Sequence, residues 1–412
     1  VTGQNNTLNL IVVGAGPAGL FTAIHAASPN SKILILEKNK SAGRKLLISG
    51  SGQCNLTNAT KLSEFSKKYG TKKNIVKKIL HTYSNKDLIH FFEKNNFPLI
   101  ELQKGKIFPK SLNSKDVLEL FLDLCKKKNI RINYEQTIKS IKILKGNFQV
   151  ITNNSSYISK NVLISTGGKS YPNTGSTGDG YRIAESLGHS IVEIKAALCP
   201  IIVNPFIYSN CAGTSFSNIE INLYRNEKKI GQYYGDVLIT HKGLSGPGIL
   251  DFSRNMKAND ILKLKLIDFK SPEAFNEFML NEIKLNGKKR LKNILSPLGL
   301  TERFISNLFN KLGVNPTIKA AELNKENRKR LIENLISFTV KISNLGSFKE
   351  AMITSGGISL DEVNKHTMES KLHNGLYFAG EVLDVDGDTG GYNLQFAFSS
   401  AILVSSHILN HY

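Results

Sequence analysis

Leu8-Asn-Leu-Ile-Val-Val-Gly14-Ala-Gly16-Pro-Ala-Gly19 sets an apolar run directly against three glycines in the order Gly-x-Gly-x-x-Gly, and residues 20–27 continue with small and apolar side chains at helical spacing. The order reads as strand, tight turn, helix. Lys32-Ile-Leu-Ile-Leu-Glu37 reads as a second buried parallel strand, so a strand-helix-strand unit fits in about thirty residues. Within it Gly14 permits the turn, Gly16 lets the backbone approach a pyrophosphate, and Gly19 allows helix and strand to pack closely. The helix opens at Pro17-Ala18, and its N-terminus supplies donors for phosphates. Glu37 ends the second strand about twenty residues on, where a carboxylate accepts from both ribose hydroxyls of an unphosphorylated adenosine. Lys38 beside it is expected to face the same cofactor. The chain is therefore expected to be an α/β protein that opens with a Rossmann-type, dinucleotide-binding half.

Length sets the next constraint. At 412 residues and 45.6 kDa the chain exceeds one compact core, and at about 150 residues per domain it implies two or three domains. Hydrophobic residues at 41% and charged residues at 21% exclude wholesale disorder and fibrous repeats. No apolar stretch approaches the roughly 18–20 residues of a membrane-spanning helix, and residues 1–10 lack the basic-then-apolar order of a signal peptide. A soluble cytoplasmic protein with no membrane partner is expected. Cys54, Cys125, Cys199 and Cys211 form no CxxC pair, so neither a metal site nor a disulfide framework is expected.

Further along, residues 61–128 read as Lys-rich amphipathic helices, and short strands follow at 131–133, 138–144, 148–152 and 157–165 as a β-meander. Strands continue over 191–268, helical periodicity returns over 271–337, and Gly375-Leu-Tyr-Phe-Ala-Gly380 reads as a buried strand before a last helix over 393–409. The first domain is thus expected to be discontinuous, 1–190 with 350–412. A β-rich insert is expected at 191–269 with 338–349, and a helical domain at 270–337.

The glycine motif alone does not separate FAD from NAD. The meander before Thr166-Gly167-Gly168 and the late strand ending Gly380-Glu381 do, because flavoproteins of the glutathione-reductase type close the FAD site with such a strand and an acid that holds the ribityl chain. That acid is expected to be Glu381, with Asp384 as competitor. The helix start at Gly391-Tyr392-Asn393-Leu394 would aim N–H groups at the flavin, where a positive helix end stabilises its reduced anion. The loop of residues 43–58 is too rich in Gly and small polar groups for a core helix throughout and reads as a wrap around the cofactor. It places Arg44 and Lys45 near phosphates, and Ser49, Cys54 and Asn55 near the flavin. Ile138, in the meander, completes the candidate cofactor set.

Residues 43–58, Ser165-Thr-Gly-Gly-Lys-Ser-Tyr-Pro-Asn-Thr-Gly-Ser-Thr-Gly-Asp-Gly180, Thr240-His-Lys-Gly-Leu-Ser-Gly-Pro-Gly248, Thr354-Ser-Gly-Gly-Ile-Ser359 and residues 375–395 closely resemble the BaiN/RdsA-type (YhiN-like) NAD(P)/FAD-dependent oxidoreductase family. The resemblance spans nearly the whole chain in order. It implies a discontinuous FAD domain, a β-barrel-like insert and a small helical domain over the flavin. Ser51 and Gln53 depart from the Gly and Arg usual in the family. Members are associated with reduction of a steroid-like enone, with amine oxidation, and with formation of dihydrouridine in large-subunit ribosomal RNA.

No second Gly-x-Gly-x-x-Gly unit is present, so NADH or NADPH is expected as a transient reductant without its own domain. Charge helps to choose the substrate. Lys and Arg outnumber Asp and Glu 54 to 33, a formal +21, and only nine of the 54 are Arg, a mixture that a lysine-rich proteome gives to any enzyme. The distribution is uneven, however: residues 61–130 carry sixteen Lys against seven acids and residues 270–330 carry thirteen Lys or Arg against six. These two segments make ribosomal RNA the favoured partner over a small enone or an oxygen-oxidised amine. For a uridine, extrusion from the stack would precede hydride delivery to C6 and protonation at C5. Cys54, His241 and Tyr171 are the candidate acids.

Overall fold

The computed structural model describes residues 7–410. They form two compact units, 7–196 with 352–410 and 197–351. In the first unit a seven-stranded sheet runs Arg131–Asn133, Ile33–Leu36, Leu8–Val13, Ser156–Ile164, Asn147–Thr152, Ile138–Leu144. The seventh strand, Leu376–Phe378, also pairs with Ser156–Ile164. Val12 lies opposite Ile35 on one side and Leu163 on the other, both in parallel register. Ile33–Leu36 is buried throughout and Leu8–Val13 at every position but Asn9, as expected for parallel strands covered on both faces.

Ser156–Ile164 divides its edges. Its first half pairs antiparallel with the meander, and its second half pairs parallel with Leu376–Phe378, placing Leu376 opposite Val162. One long strand therefore carries both the meander and the returning chain. The helices Pro17–Ala26 and Tyr392–Asn410 cover the sheet together: Thr22 Oγ1 donates to the Ala401 carbonyl (3.4 Å), and the rings of Phe21 and Phe398 lie 4.8 Å apart. Phe21 also meets Phe91 (4.8 Å) and Phe121 (5.9 Å), from the Lys-rich helices Asn85–Lys94 and Ser114–Lys127. Tyr69 and Phe92 are fully buried, and Tyr83, Phe91 and Phe97 pack against the same core. The aromatics of residues 61–130 are thus core, while thirteen of the sixteen lysines there are exposed.

The second unit is built on an antiparallel sheet in the order Phe338–Lys341, Ile261–Lys265, Ser215–Arg225, Lys228–Ile239, Gly243–Ser245, Ile201–Ile202, Asn344–Leu345. Pro272–Asn286, Leu291–Leu295, Glu302–Leu312 and Lys325–Ile336 leave the sheet after Ile261–Lys265 and return at Phe338–Lys341. Sequence reading separates residues 270–337 from the β-rich segment; here both lie on one core. Fully buried Phe304 stacks on Tyr208 at 5.3 Å and meets Phe216 edge-on at 5.3 Å. Each of these helices has one apolar face, and periodicity does not say which surface covers it.

Two consequences are measurable. Phe304→Ala should cost about 3–5 kcal/mol. Hydrogen exchange should then rise in both Ser215–Arg225 and Lys325–Ile336; a rise confined to the helices would make them a separate folding unit. His25 faces the Phe21 carbonyl (2.9 Å) and the Phe21 ring (4.2 Å). Burial, reinforced by Lys128, lowers its pKa from 6.5 to about 4. The unfolded chain then binds a proton that the folded chain refuses, so stability is lost as pH falls from about 6.5 to about 4, by at most about 3 kcal/mol. His25→Phe should flatten that part of the stability-pH curve, measured by urea unfolding.

Candidate active site

The first strand ends in a turn that only glycine fits. Gly14 has φ +102°, and a Cβ on it would lie 2.8 Å from the Ser165 carbonyl oxygen. A Cβ on Gly19 would lie 2.0 Å from the Gly14 oxygen, so the bare backbone lets Pro17–Ala26 press against the strand end. Ser165 Oγ donates to the Val13 and Gly14 carbonyls (3.0 and 3.3 Å) and fixes the turn from the neighbouring strand. Gly16 differs from both: a Cβ there would meet nothing within 4 Å. Gly16 is the N-cap, and no side chain caps the ten-residue helix. Unsatisfied N–H groups at Ala18 and Gly19 and the positive helix end thus face open space, which fits a pyrophosphate.

Glu37 Oε2 accepts from the Ala15 N–H (2.9 Å), and Oε1 accepts from the Asn39 N–H (2.8 Å) and Asn39 Nδ2 (2.7 Å). Three of about four acceptor positions of the carboxylate are used, leaving one for a ribose hydroxyl. Lys38 is drawn away from it, donating to Thr177 Oγ1 and pairing with Asp179 (2.6 Å each). Arg44 likewise donates to Asn39 Oδ1 (3.0 Å) and the Asn173 carbonyl (2.9 Å). Both cations hold residues 173–179 against the turn. Ile138 is buried, and its carbonyl accepts from Arg182 (3.1 Å).

A second cluster joins four distant segments. The Glu381 carboxylate accepts from Lys45 Nζ (2.7 and 2.9 Å), Ser170 Oγ (3.0 Å) and the Thr354 N–H (2.9 Å). Thr354 Oγ1 accepts from the N–H groups of Lys169 and Ser170 (2.7 and 3.1 Å), and a Cβ on Gly168 would strike it at 2.3 Å. Asp384 is engaged separately by Lys72, and burial raises its carboxyl pKa. Gly380 takes φ +76° and donates to Ser400 Oγ (3.0 Å). Thr166 Oγ1, next to Gly167, is buried without a hydrogen-bond partner among the described residues, as is the Tyr181 phenol.

The loop of residues 43–58 begins with the helix Arg44–Ile48 and then folds back on itself, with Gly50, Ser51, Gly52 and Cys54 all at positive φ. Ser49 Oγ donates to the Leu46 carbonyl, and the Cys54 N–H donates to the Ser49 carbonyl. This turn drives the Cys54 side chain into the core, where burial pushes its thiol up to about 12. Asn55, in the orientation its neighbours satisfy, donates to the Thr57 carbonyl and accepts from the Gly391 N–H (3.1 Å). Thr57 Oγ1 donates to Gln395 Oε1 (2.7 Å), so the loop grips the start of Tyr392–Asn410 at two points. Tyr69 OH donates to the Tyr392 carbonyl (2.8 Å). Asn393 brackets Gly387, accepting from its N–H (2.8 Å) and donating to its carbonyl (2.9 Å). Leu394 packs on the core one position later.

The three candidate acids lie in different settings. Cys54 is buried. Tyr171 is half-buried at φ +53°, and its carbonyl accepts from the N–H and Oγ1 of Thr174. His241 is exposed on the second unit, between Lys228–Ile239 and Gly243–Ser245. Reading motifs one at a time missed Asn39, Ser170, Thr354 and Gln395 as partners; the small polar residues flanking each glycine cluster were the available signal. No group of three or more potential metal ligands occurs among the described residues. No helix among them is long and apolar enough to cross a membrane.

All four cysteines are free and buried, and burial raises each thiol, Cys54 and Cys125 to about 12. The native protein should therefore resist an aromatic disulfide reagent up to about pH 9, while the denatured chain releases four equivalents. Rapid native labelling of Cys54 would show that its loop opens.

The chain is similar to proteins of known activity over nearly all its length. The model of the HI0933-like protein Rossmann domain matches residues 8–407. The ribosomal RNA dihydrouridine synthase of Haemophilus influenzae is 30% identical over 400 residues, 95% of this chain and 96% of that one. Its Escherichia coli namesake is 29% identical over 95% of both chains. A 3-dehydro-bile acid delta(4,6)-reductase from Clostridium scindens is 25% identical over 95% of this chain and 97% of its own. Among solved structures, the 3-ketosteroid-delta4-(5alpha)-dehydrogenase of Rhodococcus jostii superposes with a TM-score of 0.51 at 14% identity over 98% of both chains. A flavocytochrome c3 fumarate reductase gives 0.54 at 13%, over 99% of this chain and 79% of that one. At such identity the likeness shows a shared fold, the Rossmann-type fold of FAD flavoenzymes.

Proposed function

The chain belongs to the HI0933-like Rossmann-domain family, and from that premise we propose an FAD-dependent reductase that adds hydrogen across a C=C bond, its substrate a uridine of large-subunit ribosomal RNA and its product dihydrouridine. FAD, when bound, supplies hydride transfer, with NADH or NADPH as the transient electron donor. The observation that carries the cofactor reading is the uncapped helix N-terminus at Gly16, open to the space beside Glu37. The backbone at Gly16, Ala18 and Gly19 would hold the pyrophosphate, in a turn that Gly14 makes possible, Glu37 the adenosine ribose, and Glu381 the ribityl chain.

The chain's own residues do the orienting. Lys45, Ser170 and Thr354 fix the Glu381 carboxylate, so its position is set before a ligand arrives. Asn55 and Gln395 hold the start of the nineteen-residue helix Tyr392–Asn410, whose positive end favours negative charge in front of it. Within the first unit, proton delivery falls to Tyr171 ahead of Cys54, because a buried thiol near 12 is a poor donor at neutral pH.

Two relatives named ribosomal RNA dihydrouridine synthase, matched end to end, support RNA as substrate. So do the exposed lysines of residues 61–130. The bile-acid reductase relative supports the second reading, reduction of a small enone. An anaerobic experiment separates them: reduce the flavin, mix with large-subunit ribosomal RNA lacking the modification or with a steroid enone, and follow reoxidation. RNA should reoxidise it, one uridine should gain two hydrogens by mass spectrometry, and the rate should fall steeply with salt. Reoxidation by the enone alone, insensitive to salt, would favour the small-molecule reading.

A further inference from the structure

The second unit contains a cavity of about 330 Å³ that the proposed chemistry does not use. Its floor is the segment 203–208, held by residues 339–343. The Asn204 N–H donates to Ser343 Oγ (2.8 Å), Ser343 Oγ donates back to the Asn204 carbonyl (3.3 Å), and the Ser343 N–H donates to the Ile202 carbonyl (2.8 Å). The floor is therefore rigid without a ligand. Phe206, half-buried, supplies a ring, Tyr208, 2% exposed, stacks on Phe304 and lines the wall without a free face, and Ile207 extends the apolar surface at 53% exposed. The volume lies at the lower end of small-ligand sites.

Three observations indicate what would fill it. The Tyr208 phenol is buried and has no hydrogen-bond partner among the described residues, an unmet polar group in the wall. Lys311 and Lys341 line the same cavity, and neither has a carboxylate within ion-pair distance among the described residues. Lys311 Nζ donates only to the neutral Asn334 Oδ1 (2.7 Å) and lies 5.9 Å from the Tyr208 ring centre and 6.0 Å from that of Phe338. Partial desolvation lowers the Lys311 pKa although the side chain as a whole is exposed, and an anion beside it opposes that shift. An aromatic ring flanked by cations without carboxylate partners forms a site for a planar base joined to a phosphate.

We propose that this cavity binds one nucleotide of a single-stranded stretch of the RNA substrate, with the base against Phe206 and the flanking phosphates at Lys311 and Lys341. This rests on the RNA reading above and adds where the strand is held outside the Rossmann unit. The site has no part in hydrogen transfer: it holds the strand while another nucleotide of the same RNA reacts.

The test uses the full-length holoprotein, fluorescein-labelled oligouridine as probe, and two variants, Phe206→Ala and the double variant Lys311→Gln/Lys341→Gln. Both lysines are exposed, so the double variant keeps the fold even if Phe206→Ala does not. Anisotropy should show RNA binding weakened about tenfold by loss of the ring. The double variant should flatten the slope of log affinity against log salt by about 1.4, at roughly 0.7 per phosphate on a single strand. Reoxidation of reduced enzyme by free uridine or an enone should not change. Unchanged oligouridine affinity in both variants, with wild type still reducing ribosomal RNA, overturns the pocket and leaves the substrate reading intact. If wild-type binding is lost in the variants while ribosomal RNA never reoxidises the flavin, the pocket stands and the substrate reading falls. A raised KM for NADPH with RNA affinity unchanged would assign the cavity to the reductant and overturn the proposal.

Discussion

The contact between Gly19 and the Gly14 carbonyl governs the first unit. With no Cβ at Gly19, the helix lies so close to the strand that any side chain would fall 2.0 Å from that oxygen. The closeness puts the helix N-terminus directly beyond the sheet and leaves Gly16 facing open space. The Ala15 N–H lies 2.9 Å from Glu37 Oε2, so the glycine turn and the acid that ends the second strand are joined by one hydrogen bond. The neighbouring strand adds the Ser165 hydroxyl to the same turn. An alanine at Gly19 would therefore disturb packing, phosphate site and ribose site together.

Closure of the site is a long-range matter. Lys45 and Glu381, 336 residues apart, form an ion pair less than a quarter exposed. Such a pair is tolerable only when its remaining hydrogen-bonding capacity is met, and Ser170 and the Thr354 N–H meet it on the acid side. Thr57 and Gln395, 338 residues apart, repeat the arrangement with neutral groups. Both couplings depend on the parallel pairing of Leu376–Phe378 with Ser156–Ile164, which returns the chain to the Rossmann sheet after the second unit. The late strand is thus a structural condition for the acid's position.

These two kinds of constraint differ in how visible they are from sequence. Gly14, Gly16, Gly19 and Glu37 were legible because a strand, a turn and a helix fix their spacing within thirty residues. The meander was legible because alternation and turn residues mark each strand; the structure places its strands at Ile138–Leu144, Asn147–Thr152 and Ser156–Ile164. Lys38 and Arg44 were read as facing a ligand, whereas Asp179 and Asn173, more than a hundred residues on, draw both toward residues 173–179. Nothing in local pattern encodes such a partner. Cys54 has the right neighbours in sequence, but positive φ at Gly50, Ser51, Gly52 and Cys54 turns its side chain inward. That reversal is a property of consecutive dihedrals, and composition reports only that the loop is glycine-rich.

The charge of the chain illustrates the same limit. Lysines of residues 61–130 read as an RNA surface, while the aromatics among them, Tyr69, Phe91 and Phe92, belong to the core. Lysines alone give affinity and steering without register, because a phosphate looks the same at every position of a strand. Register requires rings or polar groups that meet a base. Within the second unit, residues 203–208 supply the half-buried Phe206 ring beside two cations and a buried phenol that have no carboxylate or hydrogen-bond partner, respectively, among the described residues. Here the sequence signal was weak, since Phe206 and Tyr208 are two aromatics in a loop and Lys311 stands about a hundred residues away. Folding brings a sparse pattern together, whereas the dense one remains a solvated, attractive face. A chain that must both attract a polyanion and hold one nucleotide in place needs both features, and they need not coincide.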